Sequence, residues 1–165
     1  MKRQIRRSVF ETNSSSCHSI SIKDKGIGTD ALKVDRDTNK VYTKFGEFGW
    51  GYDEFIDAET KLSYLMTMLV CTHRDCLSIE TLYETEDFKK INDVVITHCN
   101  CDGIIIDDYV AESSWNKNYN THNGYIDHQS VCKIDEFLNE YGSECTIEEF
   151  LFDTGIKLII SNDNC

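Results

Sequence analysis

The sequence predicts an α+β fold: a small mixed β-sheet packed by three to four helices, in a single domain over residues 1–165. Three observations predict it. Short stretches of period two lie near both ends of the chain. Stretches of period 3.6 fill the middle, bounded by caps and glycines. No repeat, linker or low-complexity tract divides the 165 residues.

Gln4 to Phe10 can extend, and Glu11 to Ser16 is polar and turn-forming. Ser19-Ile20-Ser21-Ile22 alternates polar and apolar, as a half-buried strand does. Residues 24–38, with Gly26, Gly28 and several aspartates, read as a surface loop. Lys40 to Phe45 reads as a strand and leads into Phe45-Gly46-Glu47-Phe48-Gly49-Trp50-Gly51-Tyr52. In extended conformation Phe48, Trp50 and Tyr52 share one face, where a flat ring can approach or a core can close.

Asp57 caps a helix in which Leu62, Leu65, Met66, Leu69 and Val70 recur at i, i+3, i+4, i+7 and i+8. A second helix follows Thr85, with Phe88, Ile91, Val95 and His98 along one face. Gly103 ends the connection, and Ile104-Ile105-Ile106 between polar neighbours reads as a short buried strand. Residues 110–124 read as a polar loop, and order resumes from Tyr125 to Ser130. Ile134, Phe137, Leu138 and Tyr141 make a third helix, stopped by Gly142. Thr146-Ile147-Glu148-Glu149 is a capping box opening a short helix to about Asp153. Lys157 to Ser161 is the closing strand.

A hydrophobic fraction of 40% is enough for a core. The apolar runs are too short for a membrane helix. Lys2 and Arg3 have no apolar stretch behind them, so no signal peptide is expected. The eight cysteines are irregularly spaced and read as reduced thiols in a cytosol. The net charge of -12 argues against direct nucleic-acid binding and against an anionic membrane.

That charge is unevenly spread. Residues 1–45 hold ten Lys/Arg against five Asp/Glu, whereas residues 46–165 hold seven against 24. Either the basic segment docks on the acidic remainder, or it holds an anion locally.

Four groups of residues can carry chemistry. The first runs from Arg6 and Arg7 through Asn13, Ser14, Ser15 and Ser16 to Cys17 and His18. Short hydroxyls, turn amides and a guanidinium are what a phosphate wants, and His18 can donate or exchange a proton. The plainer reading is a serine-rich hairpin whose hydroxyls bond to their own backbone. The second is Tyr125-Ile126-Asp127-His128-Gln129-Ser130. His18 and His128 are candidate acid and base, and Asp127 is equally suited to cap the following helix with His128 in its first turn.

The third group is sulfur. Cys71, Cys76, Cys99 and Cys101 offer four thiolates for zinc, but their spacings depart from the common C-x2-C pairs, and buried apolar thiols are the simpler reading. Cysteine nucleophilicity at Cys17 beside His18 meets the difficulty that adjacent side chains diverge. The fourth is the aromatic run, with Trp50 or Tyr52 placed to stack a base. No motif calls for a cofactor.

The run from Arg6 to Ser19, centred on Phe-Glu-Thr-Asn-Ser-Ser-Ser-Cys-His-Ser, resembles the N-terminal signature of small proteins from phages and mobile elements of low-GC Gram-positive bacteria. Gly124 to Ser130 and Lys157 to Asn164 are similar to further segments of that family. The resemblance covers both ends and one inner segment. It implies a setting, a phage-type accessory protein in a bacterial cytoplasm, of a kind that often counters host defence, and it implies no catalytic residue.

The expected function is therefore binding of a phosphate-bearing small ligand, a nucleotide signal. Its expected site comprises Arg6, Arg7, Asn13, Ser14, Ser15, Ser16, His18, Trp50, Tyr125 and His128. Two other readings stand beside it. The acidic body can mimic nucleic acid and block a basic host defence protein. Alternatively, His18 and His128 can make the chain a nucleotide phosphodiesterase or transferase.

Overall fold

The apolar repeat from Leu62 to Val70 forms the middle of a helix running Ala58–Thr72, and the rest of the protein is arranged around it. The computed structural model describes residues 17–23, 28–49, 52–72, 79–107, 124–126, 133–141 and 145–162. The expected strand over Gln4 to Phe10 and the polar loop over 110–123 lie outside them.

The strands are β1 (Cys17–Lys23), β2 (Val41–Thr43), β3 (Glu47–Phe48), β4 (Asp53–Phe55), β5 (Ile104–Ile106), β6 (Tyr125–Ile126) and β7 (Ile156–Asn162). The helices are α1 (Ala58–Thr72), α2 (Ile79–Glu84), α3 (Glu86–Cys99), α4 (Ile134–Glu136) and α5 (Ile147–Phe152). A π-helical turn, Phe137–Tyr141, continues α4. The fold is α+β, as the order of periods predicts.

The strands divide among three small sheets instead of joining one. β7 lies between β1 and β4 and is antiparallel to both. β2 pairs parallel with β5, and β3 parallel with β6. The parallel pairs join strands far apart in sequence, so no local turn signal announces them. The outer edge of β5 is closed by side chains: the amide of Ile104 donates to Asn92 Oδ1 at 2.9 Å, and that of Ile106 to the Tyr83 hydroxyl at 3.0 Å.

The caps behave as their residue types dictate. Asp57 Oδ1 accepts the amide of Thr60 at 2.7 Å, Thr85 caps α3, and Thr146 and Glu149 form the reciprocal capping box of α5. Asn100 closes α3 in the left-handed conformation, with φ 51°. α4 begins at Ile134 with Lys133 at its cap position, and Asp127 and His128 lie outside the described residues. α2 carries only one buried residue, Leu82, which explains why no apolar period reveals it.

α1 is more deeply enclosed than an amphipathic repeat requires. Ala58, Lys61, Leu62 and every residue from 64 to 71 are buried. Only Glu59, Thr60 and Ser63, with the terminal Thr72, keep partial or full exposure. An aromatic chain holds the helix: Tyr64 meets Phe48 at 5.1 Å and Phe137 at 5.5 Å, and Phe137 meets Phe150 edge-on at 5.3 Å between centroids.

The aromatic run after β2 does not present a single face. Phe48 is buried in the core, whereas Tyr52 is 66% exposed and donates to Glu54. Gly49, at φ 117°, turns the chain between them in a conformation closed to most side chains.

Gly103 faces a double constraint. Its φ is 123°, and a Cβ there would sit 2.9 Å from Asn92 Oδ1, the acceptor that closes the β5 edge. Gly103→Ala is therefore expected to cost about 2–3 kcal/mol, from backbone strain and a displaced acceptor. A urea midpoint unchanged from wild type would contradict this account.

Candidate functional site

The hydroxyls of α1 fasten the chain that follows β2. Ser63 Oγ donates to the Lys44 carbonyl at 2.8 Å, and Thr67 Oγ1 accepts the amide of Gly46 at 2.9 Å. A second segment folds back along β2 through the Val34–Val41 bridge and the Asp35 amide, which donates to the Lys40 carbonyl at 2.9 Å. Between these two segments and the first turns of α1 lies an open cleft with a volume of about 520 Å³. Small-molecule sites span roughly 300–1,000 Å³.

Three stretches of chain line the cleft. Leu32, Lys33 and Asp35 come from the returning segment, and Tyr42, Thr43 and Lys44 from β2 and its end. Glu59, Thr60, Leu62 and Ser63 come from α1. The exposed stripe of an otherwise enclosed helix is thus one wall. Two ammonium groups and two carboxylates share the cleft, so its lining is close to neutral within a chain of net charge -12.

Four described cations of the basic segment are not used up in ion pairs. Among the described residues, Lys33, Arg36, Lys40 and Lys44 reach no carboxylate within salt-bridge distance. Lys89, Lys90 and Lys157, from the acidic remainder, each do. Docking of the basic segment onto the acidic body therefore does not account for these four charges.

Asp35 is held in place. Its Oδ1 accepts the amides of Asp37 and Thr38 and the hydroxyl of Thr38 at 3.1, 2.9 and 2.9 Å. The Thr38 amide, then the Thr38 hydroxyl, hold its carboxyl below the ordinary carboxylate value, with Lys33 adding a smaller pull. Thr43 is only 7% exposed, and its hydroxyl has no hydrogen-bond partner among the described residues. Tyr42 presents its ring at 45% exposure.

The sequence-predicted site falls mostly outside this picture. Arg6, Arg7, Asn13, Ser14, Ser15, Ser16, Trp50 and His128 lie outside the described residues, as does Cys76. The backbone of His18 lies in β1, its Cα paired with that of Ser161. Tyr125 is exposed on β6, and its amide donates to the Gly46 carbonyl at 2.9 Å. It is not among the residues lining the cleft. The neighbouring strands do share a direction. β1 and β4 both enter the three-stranded sheet at the end where β7 leaves it, and β3 and β6 leave their ladder together.

No protein-family model, curated protein or solved structure matches this chain. Its chemistry is read from its own residues alone.

Three other groups stand out. Lys61 is fully buried, its Nζ donating to the Asp153 carbonyl at 3.0 Å and lying 5.8 Å from the Phe150 ring centroid. Burial pushes its ammonium down to about 8, against the opposing pull of Asp153, Asp30 and Asp57. It is not among the residues lining the cleft. His98 stacks on Phe152 with centroids 3.6 Å apart, and its Nδ1 meets Glu148 Oε1 at 2.9 Å. This pair ties the end of α3 to α5.

Of the four candidate zinc ligands, three lie among the described residues. Cys71 is buried in α1, Cys99 ends α3, and the thiol of Cys101 points to the carbonyls of Val95 and Gly103. Burial raises the Cys99 thiol above its ordinary value. Among the described residues no group of three or more His, Cys, Asp or Glu is placed to hold a metal ion. No helix among them is long and apolar enough to cross a membrane.

The cleft residues escaped sequence reasoning because most are ordinary surface types. Two signals did point to them. Lys33 and Lys44 belong to the basic N-terminal segment, and Glu59, Thr60 and Ser63 are the polar positions of the α1 repeat.

Proposed function

We propose that this protein binds a phosphate-bearing small molecule of nucleotide size. The observation that carries the reading is the pair of lysines, Lys33 and Lys44, at a cleft in an acidic protein, neither engaged by a carboxylate at salt-bridge distance among the described residues. Here two ammonium groups and the hydroxyl of Thr60 offer donors within a chain of net negative charge. The exposed ring of Tyr42 gives a base a surface to stack on. Sequestration of a nucleotide signal also suits the phage-type counter-defence setting that the N-terminal motif implies.

The test is mass spectrometry of small molecules released by heat from purified protein after incubation with mixed nucleotides and cyclic nucleotides. Intact nucleotide is expected, and Lys33→Glu with Lys44→Glu is expected to lower its recovery about tenfold or more, as loss of charge-assisted bonds should. Retention that survives the lysine changes but fails in Arg6→Ala or Arg7→Ala would move the site to the N-terminal cluster. Conversion to product would make the protein an enzyme and return His18 and His128 to the centre. Recovery of nothing would sink the binding reading and favour the acidic face with a basic host protein.

A further inference from the structure

The cleft holds two carboxylates as well as two lysines, and a phosphate by itself gives those carboxylates nothing to do. We infer that the ligand of the cleft carries a vicinal diol beside its phosphate, which makes it a ribonucleotide and not a deoxyribonucleotide. This rests on the reading of the cleft as a phosphate-ligand site.

The groups of the cleft and those of a ribonucleotide are complementary. Asp35 is fixed through Oδ1 by three donors from its own turn, which hold it ionised. Its Oδ2 has no donor among the described residues, and neither does either oxygen of Glu59. An ionised carboxylate placed near a phosphate repels it, unless the ligand brings hydroxyl donors of its own to that side. The two hydroxyls of ribose are such donors, and a carboxylate accepting from a ribose hydroxyl is a recurring solution in nucleotide sites.

The buried Thr43 hydroxyl points the same way. A hydroxyl nine-tenths buried without a partner costs free energy until a ligand atom satisfies it. Thr43 and Lys44, its successor in the chain, are both lining residues of the cleft. The ligand then lies with phosphate toward Lys33 and Lys44, ribose toward Asp35 or Glu59, and base against Tyr42.

Isothermal titration of the full chain with the four ribonucleoside 5′-monophosphates and their 2′-deoxy counterparts tests this. The preferred ribonucleotide is expected to bind about tenfold tighter than its deoxy form, the weight of one charge-assisted hydrogen bond. Glu59→Gln and Asp35→Asn are the informative variants: at least one should erase that preference while keeping the dependence on Lys33 and Lys44. Equal binding of ribo and deoxy forms, with the lysine dependence intact, overturns the diol and leaves the phosphate site standing. A ribose preference that survives both carboxylate variants overturns the assignment of these residues. No heat of binding from any of the eight, together with no nucleotide retained, overturns both readings.

Discussion

The wild-type protein is expected to gain about 3 kcal/mol of stability on going from pH 8 to pH 10.5, and replacing Lys61 by methionine is expected to abolish that gain. Burial disfavours the ammonium form and pushes Lys61 from the ordinary 10.5 to about 8 in the folded state. Below pH 8 the amine is charged in both states, and the cost of burying the charge is fully present. Between pH 8 and 10.5 the unfolded chain holds a proton that the folded chain has released. The unfolded state then binds more protons, so stability rises with pH. Above 10.5 both states are neutral and the cost is gone.

Methionine matches the unbranched stem of lysine and removes the charge. The nearby carboxylates are not orphaned by the change. Asp30 keeps the amide of Ala58 at 2.7 Å, and Asp57 keeps that of Thr60 at 2.7 Å. One hydrogen bond to the Asp153 carbonyl is lost, which costs about 1 kcal/mol and offsets part of the gain at neutral pH. Urea unfolding of both proteins across this pH range gives the difference, in which Tyr52 and Cys99, both raised above their ordinary values, cancel. Parallel curves would show that Lys61 is not desolvated in the folded protein.

Truncating Phe150 to alanine is expected to cost about 4 kcal/mol, the upper part of the range for large-to-small core changes. Phe150 is fully buried, meets Phe137 edge-on, and faces the Lys61 ammonium. The surrounding elements cannot collapse into the gap, because α1 is pinned by hydroxyls at Lys44 and Gly46, and the chain from Gly28 to Asp30 is tied to the end of α5. The capping box of α5 is untouched, and the better helix propensity of alanine offsets only about 0.5 kcal/mol of the loss. Phe150→Leu should recover more than half of the loss by refilling most of the volume. A denaturation midpoint near wild type for Phe150→Ala would show that α5 does not pack on the enclosed helix.

Much of the fold was legible locally. The alternation of Ser19 to Ile22, the repeat from Leu62 to Val70, the Ile104–Ile106 run and the Thr146 capping box all became the elements they announce. Each depends on contacts within a few residues, where steric preference and side-chain period act directly. The candidate site was barely legible. Its only sequence traces are an excess of cations in residues 1–45 and three polar positions on α1.

The sequence by itself determined the fold class, the boundaries of most elements, the caps and the uneven charge. The tertiary structure alone decided that strands far apart would pair in parallel, so that the described strands divide among three sheets. It decided that Phe48 would turn inward and Tyr52 outward at the Gly49 bend. It also decided that Lys33 and Lys44 would meet Glu59 and Thr60 across a cleft. The physical reason is the same in each case. Periods and caps are local, whereas strand partners and cleft walls are chosen by long-range packing around a helix buried on nearly every side, and no short stretch of sequence records that choice.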